Sequence, residues 1–190
     1  MKNVFIISGP AGSGKDAIIN GLEKLIPLSR VITTTTRRPR HNETDGNPYH
    51  FLSREQFLQN IAEKKFIEYS VNENDELYGV TFEELDRVDR SGAIGIWKMD
   101  WKGVISAKKL FPNIIAIFIH APMNILEARL RKRDSAQTNK NYFEDRMNYT
   151  KEWLKHTDIY DYTIENEQGE LDQSIEQVAS IIEDCTKKIV

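Results

Sequence analysis

The chain has 190 residues, with 26 Lys and Arg, 29 Asp and Glu, and a formal net charge of -3. Hydrophobic residues make up 39% and charged residues 29%, which excludes a disordered chain and indicates one globular domain. A general nucleic-acid binder is usually basic. The slightly acidic charge therefore argues against nucleic acid as a partner and predicts that any phosphate binding is local.

The single cysteine, Cys185, bears on the compartment. One cysteine forms neither an internal disulfide nor a cysteine cluster for a metal, and this usage is typical of a reducing compartment. The apolar run at residues 4–7 is too short for a signal-peptide core or a membrane span. We therefore expect a cytoplasmic protein with no membrane partner, and the sequence leaves both monomer and dimer open.

Strands and helices are predicted to alternate along most of the chain. Hydrophobic runs and flanking turn residues predict strands at residues 4–7, 30–36, 49–52, 66–71, 78–80, 93–100, 114–119 and 162–164. Helical spacing predicts helices at residues 17–26, from 53, at 81–90, after 100, and at 122–133, 142–156 and 171–188. Loops are predicted at residues 37–48 and, as a mobile loop, at 134–141.

This order predicts an α/β fold with a parallel sheet core flanked by helices. The alternation is interrupted by a more β-rich stretch, which predicts an inserted mixed α+β substrate-binding lobe. We expect one domain, with its core at residues 1–33 and 81–190 and its lobe at about residues 34–80.

The loop after the first strand fits a phosphate-binding motif, in which Gly9 is followed by four residues, a glycine and Lys15. Glycines let backbone N–H groups point at phosphate oxygens, and the lysine reaches the β- and γ-phosphates. A strand before the loop and a helix after it favour this role over a plain glycine-rich turn. The predicted ATP-binding residues of this P-loop are Gly9, Pro10, Ala11, Gly12, Ser13, Gly14 and Lys15.

The residue after Lys15 departs from the motif. Serine or threonine is usual there because its hydroxyl binds Mg²⁺, but this chain has Asp16. A carboxylate is a hard oxygen ligand for Mg²⁺, although it also puts negative charge beside a polyphosphate. We predict that Asp16 binds ATP and serves as a metal ligand, with Mg²⁺ as the cofactor of ATP.

An ordered set of later segments resembles the guanylate kinase family over nearly the whole chain. The segments are residues 33–40, Glu43 with Gly46 and Tyr49, residues 66–69, 78–79, 100–103, 129–133 and 160–166. No single segment is decisive, but the ordered set is highly specific. The resemblance implies a P-loop kinase that moves a phosphoryl group from ATP to a nucleoside monophosphate, with GMP as the expected partner.

The chemistry of the residues agrees with a site for the acceptor phosphate. Arg37 and Arg40 lie three residues apart with Tyr49 beyond, and two guanidinium forks with a phenol suit a dianionic monophosphate. The alternative is a solvated basic loop or an RNA contact. The resemblance adds further substrate-binding residues: Thr33, Tyr78, Gly79, Val80 and Asp100.

Glu68 is predicted to select the base. An ionised carboxylate only accepts hydrogen bonds, and guanine offers adjacent N1–H and amino donors, whereas adenine presents an acceptor at N1. Glu68 would therefore pair with guanine and reject adenine. The alternative is an ordinary outward-facing strand residue.

The resemblance also implies a helical lid at about residues 131–150. Its Arg133 and Arg146 would close on the transferring group as catalytic residues together with Lys15, and Asn166 would approach the adenine of ATP. The alternatives are two exposed helix arginines and a turn-forming asparagine at a strand end.

Three positions differ from the family pattern. Asp16 replaces a hydroxyl, Val80 stands where a serine or threonine helps to bind guanine, and Lys98 stands where the first acid of an Asp-x-Asp pair is usual. We hypothesise that Lys98 lies within ~6 Å of Asp16 and neutralises part of its charge.

These departures keep two other functions open. Gly-Lys-Asp and Tyr-Gly-Val also resemble the ribose 1,5-bisphosphate kinases, which phosphorylate a phosphosugar, but the retained Arg37, Tyr49 and Glu68 argue against that substrate. A guanylate-kinase-like binding module without catalysis is the third alternative. The intact Gly9, Gly14 and Lys15 argue against it.

Overall fold

Strands and helices alternate in the computed structural model, which describes residues 3–71, 75–135 and 141–187. The strands are β1 (Val4–Ser8), β2 (Leu28–Arg30), β3 (Thr33–Thr35), β4 (Thr44–Asp45), β5 (Pro48–Phe51), β6 (Phe66–Val71), β7 (Leu77–Thr81), β8 (Ile94–Met99), β9 (Ile115–His120) and β10 (Tyr162–Glu165). The helices are α1 (Lys15–Leu22), α2 (Arg54–Ala62), α3 (Phe82–Arg90), α4 (Trp101–Leu110), α5 (Met123–Arg133), α6 (Tyr142–Leu154) and α7 (Leu171–Lys187), with a 3-10 helix at Thr157–Ile159.

A parallel sheet with the strand order β10-β9-β1-β8-β2 forms the core and confirms the predicted α/β fold. Every residue of the central strand β1 is buried, because helices cover both faces of the sheet. Successive side chains of β1 point to opposite faces. Phe5 and Ile7 belong to one apolar cluster with α1 and α7, whereas Val4 and Ile6 belong to a second cluster with α3 and α4.

A second, mixed sheet has the strand order β4-β5-β3-β7-β6. Strand β3 runs parallel to β5 and antiparallel to β7, and β6 pairs antiparallel with β7. Helix α2 covers this sheet through Phe57, whose ring stacks on Phe66 with 4.2 Å between centroids. Ser53 and Gln56 form a capping box that begins α2, as the sequence predicted for this helix start.

The predicted single strand at residues 30–36 is wrong, because the structure divides it between the two sheets. The backbone N–H of Val31 still bonds to Ile96 of the core, but that of Ile32 donates to the carboxylate of Glu84 at 2.6 Å. Arg87 then ties this carboxylate to the carbonyl of Arg30. A β-branched run favours strand locally but carries no information about where the chain changes its pairing partner.

Other predicted elements differ only at their ends. Helix α1 ends at Leu22 instead of residue 26, because the N–H groups of Lys24 and Leu25 bond three residues back and tighten the last turn. Helix α6 ends at Leu154 rather than at residue 156, and the predicted loop at residues 37–48 contains the two-residue strand β4. Residues 136–140 of the predicted loop and the predicted helix end at residue 188 lie outside the described residues. In the described ranges, no helix has the length and apolar character that crossing a membrane requires.

Candidate active site

The loop between β1 and α1 has a backbone conformation that requires glycine at Gly9 and Gly14. Gly14 has φ 88° and is the N-cap of α1. A Cβ on Gly9 would meet the carbonyl oxygen of Ile119 in the neighbouring strand β9. The carbonyl of Pro10 accepts hydrogen bonds from the N–H of Ser13 and from Nζ of Lys15, so the loop turns tightly and keeps the lysine over itself. This is the backbone form in which N–H groups cradle phosphate.

Two side chains from distant parts of the chain, Asn166 and Arg129, fix the backbone of this loop by hydrogen bonds. Asn166, which is 3% exposed, donates from Nδ2 to the carbonyl of Ser13 at 2.8 Å. Arg129 on α5 donates to the carbonyls of Gly12 at 3.3 Å, Asn166 at 3.2 Å and Glu167 at 3.1 Å. The structure thus places Asn166 against the loop, and its contact with adenine stays a prediction.

Arg129 is a functional residue that the sequence reasoning missed. It lies four residues before Arg133, so both occupy one face of α5, and this spacing was the available signal. With the loop and α1, this face encloses a cavity of about 200 Å³. The cavity is lined by Gly12, Gly14, Lys15, Asp16, Ala17, Arg129, Leu130 and Arg133.

Positive charges converge on Lys15. The pKa of its ammonium is lowered to about 8, chiefly by burial; the charge of Asp16 opposes this effect, and the nearby charges of Lys98, Arg133 and Arg146 add to it. The two predicted lid arginines therefore lie close enough to act on the loop lysine, although they come from α5 and α6. Such a cluster favours an anion in its centre.

Asp16 and Lys98 form an ion pair with Nζ 2.7 Å from Oδ1, which confirms the hypothesis that they are neighbours. Strands β1 and β8 are adjacent, with Ile7 opposite Lys98, so the lysine lies level with the start of the loop. Burial raises the pKa of the Asp16 carboxyl, but the charge and hydrogen bond of Lys98 outweigh it. The net pKa lies below the usual value, so the carboxylate is ionised at neutral pH.

This ionised carboxylate fits a magnesium ion that arrives with a nucleotide. The Asp16 side chain is 63% exposed and offers the oxygen ligands that Mg²⁺ prefers. Within the described residues, no group of three or more His, Cys, Asp and Glu side chains is arranged to enclose a metal ion. Mg²⁺ in phosphoryl-transfer sites usually takes one or two carboxylates and completes its shell with phosphates and water.

A second carboxylate, Asp134, binds Arg133, one of the two predicted lid arginines. Arg133 donates to both of its oxygens at 2.7 Å, and the hydroxyl of Tyr142 donates to Oδ2 at 2.6 Å. These contacts hold the pKa of Asp134 at about 2. Arg146 lies over the ring of Tyr142, 5.3 Å from its centroid. Both arginines therefore have a local anion or aromatic surface that keeps them near the loop.

The predicted acceptor-phosphate residues meet on the second sheet. The guanidinium of Arg37 lies 5.3 Å from the centroid of the Tyr49 ring, and the rings of Tyr49 and Tyr78 are 6.0 Å apart. Arg37 also donates twice from Nη2 to Glu43, which in turn accepts the backbone N–H of Arg40. The sequence reasoning quoted Glu43 in the resemblance but assigned it no role. The structure shows that it binds the side chain of Arg37 and the backbone of Arg40.

The remaining substrate-binding candidates differ in how they are placed. Thr33 lies opposite Tyr49, and Gly79 lies opposite Tyr69. The side chain of Val80 is fully buried in the apolar cluster that it shares with Val31. Val80 nevertheless lies opposite Glu68 in the pairing of β6 with β7, so its backbone is next to the predicted base-selecting residue while its side chain belongs to the apolar core.

Glu68 on β6 is half-buried, and within the described chain no group donates a hydrogen bond to its carboxyl. Burial raises its pKa to about 7, and the negative charge of Asp100 adds to this effect. Asp100 is the N-cap of α4, where its Oδ1 accepts the N–H of Gly103 at 2.8 Å. A carboxyl that is shielded from water without a partner is costly, and such groups concentrate at functional sites.

Arg129→Met should weaken nucleotide binding, because it removes hydrogen bonds to three carbonyls that fix the loop. We expect the Kd for ATP to rise about tenfold and the free energy of unfolding to fall by about 1–2 kcal/mol. Calorimetric titration and urea unfolding measure the two effects.

The matched control is Arg131→Met on the same helix, where an exposed pair with Glu127 contributes about 0.5 kcal/mol or less. If the Arg129 and Arg131 variants behave alike, Arg129 does not support the loop.

Comparisons with known proteins identify the family of this chain. The family model "Guanylate kinase" matches residues 1–185. Guanylate kinase of Rickettsia felis is 34% identical over 181 residues, covering 94% of this chain and 92% of the relative. That of Helicobacter pylori is 34% identical, covering 94% and 85%. A crystal structure of guanylate kinase from Anaplasma phagocytophilum, at 24% identity, has the same fold with a TM-score of 0.72 over 96% of this chain and 85% of that one. The chain belongs to the guanylate kinase family.

Proposed function

We propose that this protein is a nucleoside monophosphate kinase that transfers the terminal phosphoryl group of ATP to GMP and forms ADP and GDP. The unpartnered carboxyl of Glu68 is the observation that carries the choice of GMP. It is half-buried beside Asp100 with no hydrogen-bond donor among the described residues, which raises its pKa to about 7, and a ligand with two donors would stabilise the ionised form. The N1–H and amino groups of guanine supply them, whereas the N1 acceptor of adenine would repel the carboxylate.

The donor half of the reaction is electrostatic. The phosphates of ATP bind to the N–H groups of residues 9–15, and Lys15 holds the terminal phosphoryl group. Arg133 and Arg146 stabilise the negative charge that spreads over this group during transfer. Support for this arrangement comes from the effect of both arginines on the pKa of Lys15. Bound phosphate reverses that effect, because an anion favours the charged lysine.

The acceptor half requires alignment rather than a strong base. Arg37, Arg40, Tyr49 and Tyr78 would hold the phosphate of GMP, with Thr33, Gly79, Val80 and Asp100 completing the proposed site. A phosphate monoester is already anionic near neutral pH, since its second pKa is about 6, so one of its oxygens attacks without losing a proton to the protein. The guanidinium of Arg37 is paired with the carboxylate of Glu43, and GMP phosphate would compete for the same guanidinium.

Asp16 would hold Mg²⁺ with the nucleotide. The ion neutralises charge on the β- and γ-phosphates when it is bound. In the proposed reaction Lys15 orients the γ-phosphoryl group, and Arg133 and Arg146 stabilise its negative charge. Closure of the lobe (about residues 34–80) and the lid (about residues 131–150) onto the core would prevent wasteful hydrolysis of ATP.

We further propose a cytoplasmic location and no nucleic-acid or membrane partner. Cys185 is free and buried, which agrees with a reducing compartment. The slightly acidic net charge agrees with small phosphorylated ligands.

The proposal is tested by a coupled assay with Mg-ATP and four acceptors: GMP, AMP, UMP and ribose 1,5-bisphosphate. We expect turnover of GMP, loss of turnover in Lys15→Met, and a fall of roughly 100-fold in kcat/KM for GMP in Glu68→Gln, because a neutral amide presents a donor to a guanine donor. Glu55→Gln, an exposed change on α2 of the same lobe, should leave kcat/KM unchanged.

Turnover of ribose 1,5-bisphosphate alone would replace GMP by a phosphosugar as the acceptor. Binding of nucleotide without transfer to any acceptor would show a binding module instead of an enzyme.

The pH dependence of GMP use should follow Glu68. With a pKa of about 7 in the free protein, the carboxyl becomes protonated as the pH falls below 7 and loses the ability to accept two hydrogen bonds. We expect kcat/KM for GMP to fall by roughly tenfold for each pH unit below 7.

GMP phosphate also titrates, with a second pKa of about 6, and Glu68→Gln separates the two effects because it retains the phosphate titration. The variant should lack the step near pH 7. Identical profiles in the two proteins would exclude Glu68 as the titrating group.

A further inference from the structure

Lys98 is a cation at the phosphate end of the core sheet to which the proposed reaction assigns no role. It is the last but one residue of β8, and its ammonium bonds to Oδ1 of Asp16 at 2.7 Å. In the described chain, Asp16 is the one group with which the Lys98 side chain makes a hydrogen bond or ion pair. An ammonium has three N–H donors, so this contact leaves two of them for another acceptor.

Lys98 is tied to the loop that is proposed to hold the phosphates of ATP. Asp16 follows Lys15 directly, so the ion pair puts the Lys98 ammonium beside the first turn of α1. Its partner Asp16 lines the same cavity as Lys15, and the Lys98 side chain is itself 36% exposed. The charge of Lys98 also reaches Lys15, because it contributes to lowering the pKa of that residue.

We propose that Lys98 is a further phosphate-binding residue, which donates to the terminal phosphate of ATP while Asp16 holds its ammonium in position. The inference rests on the proposed function only in taking ATP as the phosphoryl donor. It explains why the chain tolerates a carboxylate next to the loop lysine. The added negative charge of Asp16 comes with a cation that offers donors to the same phosphates.

A simpler role for Lys98 is neutralisation of Asp16 without any contact to phosphate. The two roles differ when Asp16 has lost its charge. A mere neutraliser then has nothing left to neutralise, whereas a phosphate-binding lysine still bonds to ATP. They also differ between nucleotides, because ADP lacks the phosphate that Lys98 is proposed to contact.

The experiment is calorimetric titration of ATP and of ADP, in EDTA without Mg²⁺, into four proteins: wild type, Lys98→Met, Asp16→Asn and the double variant. Asp16 and Lys98 are both substantially exposed, and an exposed ion pair contributes little to stability, so the variants should fold. In the Asp16→Asn background, we expect Lys98→Met to raise the Kd for ATP about tenfold and that for ADP less than about twofold.

Lys109→Met, in the exposed last turn of α4, removes the same charge away from the loop and should leave the ratio of the two Kd values unchanged. Equal effects of Lys98→Met on ATP and ADP, or an equal effect of Lys109→Met, would overturn the inference. If either result occurs while GMP is still phosphorylated, only the role of Lys98 fails. If ATP does not bind to the wild-type protein, the inference and the proposed donor fail together.

Discussion

The arrangement of the site depends on positive charges that the fold gathers at one edge of a parallel sheet. Lys15, Lys98, Arg133 and Arg146 come from four different elements, and their mutual repulsion adds to the effect of burial in lowering the pKa of Lys15. Parallel strands deliver the loops at their carboxyl ends to the same edge, which is how side chains distant in sequence meet there.

Two carboxylates make this concentration of charge tolerable before any nucleotide binds. Asp16 pairs with Lys98, and Asp134 pairs with Arg133. Both acids are partly exposed, so their pairs are weak and can be rearranged when phosphate arrives. The two carboxylates thus offset part of the charge of the four cations, and a polyphosphate would compete with these internal anions for donors that are in place. This is the preorganisation that phosphoryl transfer relies on.

The second sheet has a different electrostatic arrangement. There the basic group Arg37 is held by Glu43, whereas the acidic group Glu68 has no ion-pair partner among the described residues and lies near the charge of Asp100. Under the proposed function, the phosphate and the base of one small molecule would satisfy these two groups. The crossing between the sheets is held by Glu84, whose bonds to Ile32 and Arg87 fix where the chain leaves the core.

The sequence predicted the features that are encoded locally. The glycine loop, the cap at Ser53 and the parallel core follow from short patterns, and the pairing of Lys98 with Asp16 followed from a balance of charge at two unusual positions. The split of residues 30–36 and the burial of Val80 could not be predicted, since each depends on partners far along the chain. The spacing of Arg129 from Arg133 indicated a shared helix face but not the contact of Arg129 with the loop. Local propensity carries no information about such partners.

The most direct test of the central claim is a measurement of the pKa of Lys15. NMR titration of the lysine side chains gives this pKa, and the Lys15→Met variant assigns the signal. The account predicts that one lysine titrates near pH 8 in the free protein, that this signal is absent in the variant, and that ATP moves its pKa upward because phosphate favours the charged form. A Lys15 that titrates near 10.4 in the free protein, as an unperturbed lysine does, would contradict the burial of its ammonium among nearby cations on which the proposed mechanism depends.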